Sequence, residues 1–373
     1  MSEIKKILIS GGAGFIGSHV ADEFIRAGYS VRVMDHLGPP THNREKPAWL
    51  HPQAELLVGD VRVKEDWRKA LKGVDAVIHL AAYMDYHLDF STYVRTNIES
   101  TTLLFECIVE DKLPIKKIVA ASSQSVYGEG KYRCSTHDIV YPNPRSEERL
   151  RAHAWEQICP FCQKEVMPVP EEEDDILHPQ IPYGISKLTS EWMLKNLGAR
   201  YQVPVVMLRF SIALGARQSF RHFYSGALRA FSVAALTGQK MQIFEDGLQT
   251  RDFVHVEDVA RAHRVVLEHA DADFESFNVG SGVTTSVRDL AKIVAEEAGI
   301  SFAPEEGKYR VGDARHQPMS HVKLAALGWK PQKTLRDAAS DYLTWIRQFQ
   351  KTELAEALRR TQEHLAQDGT IRS

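Results

Sequence analysis

A glycine-rich turn between a strand-like and a helix-like segment is the feature that most restricts the fold of this chain. The stretch ILISGGAGFIGSHVADEFIRAGYSVRVMD places Gly11, Gly14 and Gly17 after an apolar run, and a second strand-like run then ends at Asp35. Glycines here let the backbone turn tightly, approach a pyrophosphate and pack a helix on a strand. A carboxylate after the second strand accepts a bond from a ribose 2′-hydroxyl and repels a 2′-phosphate. The turn therefore predicts a dinucleotide site that favours NAD over NADP.

Short apolar runs alternate with helix-period segments through the first half of the chain. The strand-like runs are KKILIS, SVRVMD, AELLVGD, DAVIHLAA, KKIVAASS and VPVVMLRF. Strands that alternate with helices form parallel βαβ units. The sequence therefore predicts an α/β fold built on a doubly wound parallel sheet of the Rossmann type.

Breaks in the alternation of strand-like and helix-like segments predict the domain organisation. Residues 1–210 form the predicted nucleotide-binding domain, and a segment rich in proline, arginine and acids interrupts it at 129–182 without a strand-like run. Residues 211–350 form a smaller C-terminal substrate lobe, some of whose strands are expected to return to the main sheet. The amphipathic, charged tail at 351–373 is typical of a solvated terminal helix.

Composition and charge exclude several kinds of partner. The formal net charge is −3, so no global basic field exists to attract nucleic acid or anionic lipid. The N-terminus enters a strand-like run without a signal-peptide core, and no apolar run has the length of a membrane span. The 4 cysteines do not make a secreted disulfide framework. We expect a cytoplasmic protein without nucleic-acid or membrane partners.

Two further segments supply candidate catalytic groups. AASSQSVYGEG, which follows a strand, contains Ser123, and PYGISK, which opens a helix, contains Tyr183 and Lys187. Tyr183 and Lys187 have i, i+4 spacing, so both side chains lie on one face of the helix. A phenol with a pKa of about 10 is a poor base, but a neighbouring ammonium favours the phenolate. Tyr183 could then remove a hydroxyl proton while a hydride leaves the same carbon.

With these motifs the sequence resembles the extended short-chain dehydrogenase/reductase family of nucleotide-sugar epimerases and dehydratases, from about Lys5 to Leu335 outside the insertion. The resemblance implies an NAD cofactor. It makes Ser123 the hydroxyl that bonds the reacting sugar oxygen, Tyr183 the acid/base, and Lys187 the residue that tunes Tyr183 and holds the nicotinamide ribose. The cofactor-binding residues it implies are Gly11, Gly14, Phe15, Ile16, Gly17, Asp35, Asp60, Val61, Leu80, Ala81, Ala82, Tyr183 and Lys187. The substrate-binding residues are Ser123, Gln124, Ser211, Arg217, Arg251, Arg310 and Asp313.

The resemblance also bears on assembly and on one structural residue. Asn97, in RTNIES, matches a structural polar position of the family. Members commonly form homodimers through two helices of each subunit, which here would begin near Thr96 and Tyr183.

Two departures from the family pattern bear on the reaction. Where the family usually has an asparagine that contacts the substrate diphosphate, this chain has Ile212, and Ser211 or Arg217 is the expected substitute. The dehydratases carry an Asp-Glu pair directly after the catalytic hydroxyl, and those positions here are Gln124 and Ser125. Without that pair, the simplest reaction is a transient oxidation of one sugar carbon, followed by return of the hydride to the opposite face. Such a reaction is a 4-epimerisation without net redox change.

The sugar itself rests on resemblance alone. The insertion and the segment GARQSF resemble a bacterial branch of the family, the dTDP-L-rhamnose (dTDP-6-deoxy-L-talose) 4-epimerases, which has a cysteine-bearing insertion at this place. UDP-glucose or UDP-glucuronate 4-epimerisation and another nucleotide-sugar dehydrogenase or dehydratase reaction remain open. An NAD-bound scaffold or sensor is the non-enzymatic alternative.

The insertion carries a candidate metal site. Cys134 and His137 form a C-x-x-H pair in KYRCSTHDI, and Cys159 and Cys162 form a C-x-x-C pair in ICPFC. Two such pairs supply the four ligands of a structural zinc site, which predicts a zinc-ribbon-like insertion. Four incidental residues or a free or redox-active cysteine pair are the alternatives. The following acid run, Glu171–Asp175, is typical of a solvated connector.

Overall fold

The computed structural model describes residues 4–85, 89–222, 226–367 and 371–372. Its strands are β1 (Lys6–Ser10), β2 (Ser30–Asp35), β3 (Glu55–Val58), β4 (Ala76–His79), β5 (Lys117–Ser123), β6 (Lys131–Cys134), β7 (Asp138–Val140), β8 (Met167–Val169), β9 (Val205–Phe210), β10 (Ile212–Leu214), β11 (Gln242–Phe244), β12 (Thr250–His255), β13 (Ser276–Val279), β14 (Thr284–Ser286), β15 (Glu305–Arg310), β16 (His316–Gln317) and β17 (Ile371–Arg372).

The helices follow the same chain order. They are α1 (Phe15–Arg26), α2 (Lys64–Leu71), α3 (Ser91–Tyr93), α4 (Ser100–Glu110), α5 (Glu147–Arg151), α6 (Pro182–Tyr201), α7 (Gly226–Thr237), α8 (Val256–Glu268), α9 (Val287–Ala298), α10 (Val322–Ala325), α11 (Leu335–Ile346) and α12 (Lys351–Gln367). A π-helical stretch, Val94–Glu99, joins α3 to α4, and 3₁₀ turns occupy Gln124–Tyr127 and Ala270–Ala272.

Seven parallel strands form the main sheet, in the order β13-β9-β5-β4-β1-β2-β3. Apolar runs predicted six of these strands, and all but the edge strand β3 are largely buried because helices cover both faces of the sheet. Helices α1 and α8 pack on one face, and α2, α4 and α6 pack on the other. The Rossmann-type α/β fold is confirmed, and strand order reverses between β1 and β4, where such sheets bind ligands.

The second lobe is built mainly of helices. Helices α7, α9, α11 and α12 enclose a separate apolar core beside the short strands β10 to β12 and β14 to β17. The prediction of a solvated tail is wrong for α12, because Leu354 and Leu358 are buried in that core and Arg229 donates to the Ala357 carbonyl oxygen. The charged residues that suggested a solvated helix occupy only its outer face.

The insertion contains structure that its composition did not predict. Strands β6, β7 and β8 form a small antiparallel sheet around an apolar core of Tyr132, Val140, Val166 and three cysteines. These strands have 3 or 4 residues each, which is too short for a recognisable alternation of polar and apolar residues.

The acid run after β8 is not the solvated connector that we expected. Glu171 and Asp175 turn inward, and the pair at Glu172 and Asp174 faces solvent. Asp175 accepts a bond from Tyr141 and pairs with Lys131. The run is therefore packed against the protein, a placement that depends on partners distant in the chain.

Across the part of the chain that the structure describes, no helix is both long enough and apolar enough to cross a membrane.

Candidate active site

The glycine turn lies at the carboxyl edge of the main sheet. A Cβ on Gly11 would lie 2.8 Å from the Ala81 nitrogen, and one on Gly17 would lie 2.2 Å from the Gly11 oxygen, so both positions require glycine. Gly14 caps α1 without a side-chain hydrogen bond, and the first turn contains no acid. The N–H groups at this helix end are thus available to an anion, as a pyrophosphate site requires. Phe15 and Ile16 follow as the first residues of α1.

Two carboxylates flank this turn. Asp35 ends β2 and is 7% exposed; its Oδ2 accepts the Ala13 N–H at 3.1 Å and its Oδ1 accepts the Leu37 N–H at 3.0 Å. Burial alone would raise the pKa of Asp35, but the hydrogen bond with His36 lowers it, so the group stays ionised. Asp60, beyond β3, forms an ion pair with Arg62 at 2.6 Å and precedes the buried Val61. Asp35 is therefore fixed directly to the glycine turn through the Ala13 N–H.

The end of β4 completes this edge. Leu80 and Ala81 are partly buried and Ala82 is exposed, beside the glycine turn. His79 is held by a 2.6 Å hydrogen bond between its Nδ1 and Ser10 Oγ. Burial and the nearby charge of Lys187 lower the pKa of His79 to about 3, so its ring is neutral. The His79 ring therefore adds no second positive charge beside Lys187.

Ser123 is the last residue of β5 and begins the next turn. Its Oγ accepts the Ser125 N–H at 3.1 Å and donates to Ser125 Oγ at 3.0 Å. This bond caps the 3₁₀ turn Gln124–Tyr127 and fixes the Ser123 side chain at the edge of the sheet.

The first turn of α6 lies directly against the Ser123 turn. A Cβ on Gly184 would lie 2.6 Å from the Ser125 oxygen, so only glycine permits this approach. Pro182 opens the helix, and Tyr183 and Lys187 follow on one face. Tyr183 is partly exposed and Lys187 is 6% exposed. Burial lowers the pKa of Lys187 to about 8, although the charge of Glu191 opposes this shift.

Sequence reasoning missed a buried network beneath Lys187. Glu191, one turn further along α6, accepts bonds from Arg209 at 2.6 Å, Ser276 at 2.6 Å and Ser122 at 2.9 Å. Burial would raise the pKa of Glu191, but the Arg209 hydrogen bond lowers it. The network ties α6 to β5, β9 and β13. The i, i+4 spacing from Lys187 was the available signal, but the partners lie on other strands.

Asn97 has the structural position that the resemblance implied. Its Nδ2 donates to Ser186 Oγ at 2.8 Å and to the Tyr83 oxygen at 3.0 Å, and its Oδ1 accepts the Tyr83 N–H at 2.7 Å. Asn97 therefore joins the loop after β4 to the first turn of α6. The π-helical stretch that contains it is a local departure from regular helix at the site.

Three of the predicted substrate residues meet in the second lobe. Arg251 on β12 donates to Asp313 Oδ1 at 3.1 Å and to the Ala314 oxygen at 2.6 Å. Burial would raise the pKa of Asp313, but the charges of Arg251 and Arg310 lower it. The structure thus brings Arg251, Arg310 and Asp313 into one charged cluster.

The remaining predicted substrate residues that follow make contacts within the protein. Ser211 is buried and donates to Asp252 Oδ1 at 3.0 Å. Arg217 pairs with Asp22 on α1 at 2.7 Å, so the structure gives no support to its role as the substitute for the missing asparagine. Gln124 is 4% exposed and donates its amide to Glu171 and to a backbone oxygen.

Sequence reasoning also missed a contact between the insertion and the second lobe. Arg145 forms a two-pronged, buried ion pair with Glu245 at 2.8 and 2.9 Å, and donates to the Asp313 oxygen at 2.8 Å. Arg315 likewise joins Glu156 of the insertion to Asp246. The insertion is therefore fixed to the loop that carries Asp313, which no local sequence signal indicates.

The four candidate metal ligands meet as the spacing predicted. The ligand atoms of Cys134, His137, Cys159 and Cys162 all lie within 4.8 Å of one another. Cys134 Sγ is 3.6 Å from Cys162 Sγ, and Cys159 Sγ is 3.4 Å from His137 Nδ1. In a tetrahedral site with Zn–S bonds of about 2.3 Å the sulfurs lie about 3.8 Å apart, so this donor set fits zinc. None of the four cysteines forms a disulfide.

Comparison with known proteins places the chain in a family. Residues 7–280 match the NAD dependent epimerase/dehydratase family, and the chain belongs to it. It is 34% identical over 351 residues to a dTDP-L-rhamnose 4-epimerase of Burkholderia thailandensis, covering 92% of this chain and 95% of that protein. It is 31% identical to a putative UDP-glucose 4-epimerase of Methanocaldococcus jannaschii, covering 93% of this chain and 100% of that protein.

Solved structures show the same fold. A UDP-glucose 4-epimerase of Thermotoga maritima with UDP-glucose superposes with a TM-score of 0.74 at 29% identity, covering 92% of this chain and 99% of that one. A UDP-glucuronic acid 4-epimerase of Bacillus cereus, in complex with UDP-glucuronic acid and NAD, gives a TM-score of 0.75 at 26% identity, with coverage of 92% and 99%. The chain is thus an NAD-dependent enzyme of the epimerase class.

Proposed function

We propose that this enzyme interconverts two nucleotide-diphosphate sugars that differ at C4. The observation that carries the proposal is the approach of the Ser123 turn to the Tyr183 and Lys187 face of α6, beside the glycine turn. The positions after Ser123 are Gln124 and Ser125, which cannot supply the acid and base of a dehydration. The site therefore has the groups for reversible oxidation at one carbon and lacks those for elimination.

The residues present fit NAD. Gly14 and the uncapped end of α1 suit the pyrophosphate, Asp35 suits an unphosphorylated ribose, and Lys187 suits the nicotinamide ribose. Bound NAD supplies the hydride acceptor of the oxidation and the hydride donor of the return step.

The residues of this chain handle the proton and the sugar. Tyr183 removes the C4 hydroxyl proton while Ser123 holds the same oxygen by a hydrogen bond. The positive charge of Lys187 stabilises the phenolate of Tyr183. The 4-keto sugar then presents its opposite face to the cofactor. Tyr183 returns the proton to the C4 oxygen in the second step. Arg251 and Arg310 suit the diphosphate, since guanidinium groups offer charge and paired donors, and Asp313 suits the nucleoside side.

For the sugar we propose dTDP-L-rhamnose, whose epimer is dTDP-6-deoxy-L-talose. The relative from Burkholderia thailandensis supports this choice by its 34% identity over nearly the whole chain. UDP-glucose and UDP-glucuronate are the alternatives, since relatives with those substrates share the fold.

A panel of nucleotide sugars tests the reaction and the sugar together. The purified enzyme should equilibrate dTDP-L-rhamnose with its C4 epimer without added cofactor, because the oxidation and the reduction cancel. Chromatography of the products and absorbance at the NADH wavelength provide the readouts. Faster conversion of UDP-glucose or UDP-glucuronate would replace the proposed sugar, and stoichiometric NADH release would make the enzyme a dehydrogenase.

An alkaline limit on activity is expected from Lys187. Its pKa of about 8 means that the ammonium is lost as the pH rises through 8, and the Tyr183 phenolate then loses its stabilising charge. We therefore expect kcat/KM to fall about tenfold per pH unit above this value. Lys195→Gln, on the same helix, should keep this alkaline decline in kcat/KM. Lys187→Met should have a low kcat/KM and should show no such decline. A wild-type profile that stays flat to about pH 10 would refute this role.

We further propose that Cys134, His137, Cys159 and Cys162 hold one structural zinc ion. Burial of Cys134 and Cys159 and the compact donor set support this assignment. Four protein ligands leave no position open for water or substrate, so the metal would stabilise the insertion and take no part in the reaction.

A homodimer is also proposed, and the surface of α6 supports it. Ile185 and Trp192, separated by two helical turns, are 51% and 61% exposed, and Val94 on the neighbouring helix is 53% exposed. Apolar side chains in such a stripe are typical of a helix–helix interface. A sedimentation mass of one chain at micromolar concentration would contradict it. We also propose the reducing cytoplasm as its compartment, which the lack of a disulfide among the four cysteines supports.

A further inference from the structure

The acidic strap, Glu171–Asp175, links the insertion to both lobes. The Glu171 N–H donates to the Pro318 oxygen at 3.0 Å, and the Ser320 N–H donates to the Glu171 oxygen at 2.9 Å. Glu173 accepts the Asn278 N–H of β13 at 2.7 Å. The strap therefore lies between the main sheet and the second lobe, next to the candidate active site.

Glu171 is the most deeply buried acid of this strap. Its side chain is 0% exposed, and its Oε2 accepts a bond from Gln124 Nε2 at 2.9 Å. Its Oε1 has no hydrogen-bond partner among the described residues. A Cβ on Gly130 would lie 3.1 Å from that oxygen, so glycine at 130 leaves the room for this carboxyl group. Burial raises the pKa of Glu171 well above its usual range.

Gln124 transmits this contact to the Ser123 turn. Besides Glu171, its Nε2 donates to the Gln317 oxygen at 2.9 Å, and the Gln317 side chain donates to the Gly128 oxygen at 3.1 Å. Both protons of the buried amide are thus used, and both ends of the turn are tied down. Because Gln124 directly follows Ser123, we expect a displacement of its anchored side chain to shift the backbone that carries the Ser123 hydroxyl.

We propose that Glu171 is a positioning residue, which through Gln124 holds Ser123 in the geometry required for the reaction. The inference rests on the proposed 4-epimerase function and adds to it a catalytic contribution from the insertion. Displacement of a reacting group by about 1 Å can lower a rate by about 100-fold, so a buried tether of this turn affects turnover more than binding.

Two variants of Glu171 and one of its neighbour test the inference. Glu171→Met keeps the volume but removes the acceptor, and we expect kcat to fall by about 10- to 100-fold with KM changed by less than about twofold. Glu171→Gln keeps the size of the side chain and an oxygen that can accept the bond from Gln124, so kcat should stay within about threefold of wild type. Asp174→Ala, an exposed acid of the same strap, is the matched control and should leave kcat unchanged.

Hydrogen exchange of the NAD-bound protein supplies a readout that does not depend on activity. The peptide that spans Ser122 to Gly128 should lose protection in Glu171→Met and keep it in Glu171→Gln and Asp174→Ala. Glu171→Leu replaces the Met variant if that protein does not fold. Equal losses of kcat in the Gln and Met variants, or a Met variant with wild-type kcat or wild-type protection, would overturn the inference. A wild-type enzyme that converts none of the sugars would refute the proposed function. The hydrogen-exchange result would then still show whether Glu171 holds the Ser123 turn in place.

Discussion

Replacement of Tyr183 by phenylalanine is expected to lower kcat for C4 epimerisation by about 10²- to 10⁴-fold. The change removes one hydroxyl group near the start of α6 and keeps the ring, so the approach of Gly184 to the Ser123 turn is preserved. The reaction would lose the group that takes and returns the proton on the C4 oxygen. Rates of conversion of the preferred nucleotide sugar, measured with equal NAD content, give the effect.

Tyr201→Phe is the matched control for this variant. Tyr201 ends the same helix and is 42% exposed, so loss of its hydroxyl should leave kcat unchanged. The thermal midpoint and the bound NAD should be alike in both variants and in the wild type. Activity of Tyr183→Phe within about threefold of wild type would exclude Tyr183 as the acid/base.

The second large effect is expected at the cysteine cluster. Cys159→Ala should reduce the zinc content from about one ion per chain to a small fraction and unfold the insertion locally. The apolar core of the insertion is small and half of its six residues are the cysteines themselves. A structural zinc site contributes on the order of 10 kcal/mol to the folding of a small domain, which such a core cannot replace. Metal analysis and hydrogen exchange over 131–169 measure the two effects.

Cys107→Ala is the control for loss of a cysteine. Cys107 is buried among α2, α4 and the main sheet, so its variant can lose some stability but should keep a full complement of metal. Wild-type protein that is purified without chelator and contains well under one zinc ion per chain would contradict the assignment. Because Arg145 and Glu171 anchor the insertion to the candidate active site, Cys159→Ala should also lower the epimerase rate.

Much of the fold could be predicted because it depends on local patterns. The six apolar runs became strands of the parallel sheet, and the glycine turn lies between β1 and α1. The tail was mispredicted because its charged face dominates the composition, whereas Leu354 and Leu358 decide where the helix packs. A pattern of this kind shows that a helix has an apolar side, but it does not show whether that side is covered.

The residues of the candidate site were likewise predictable where they depend on local spacing and unpredictable where they depend on distant partners. Tyr183 and Lys187 share a helix face, and the two members of each metal-ligand pair are three positions apart, so spacing alone was informative. Arg217 shows the limit, because its neighbours in sequence did not reveal that its guanidinium pairs with Asp22 on α1.

The sequence by itself determined the fold class, the dinucleotide turn, the absence of the dehydratase acid pair and the two metal-ligand pairs, Cys134 with His137 and Cys159 with Cys162. These features depend on residues within a few positions of one another, where backbone geometry fixes which side chains can meet. Only the tertiary structure decided that Glu171 tethers Gln124 and that Arg145 holds the Asp313 loop. Those partners are 47 and 168 positions apart in the chain. They meet because the insertion packs between the two lobes, and burial turns an apparently solvated acid into part of the structure around the site.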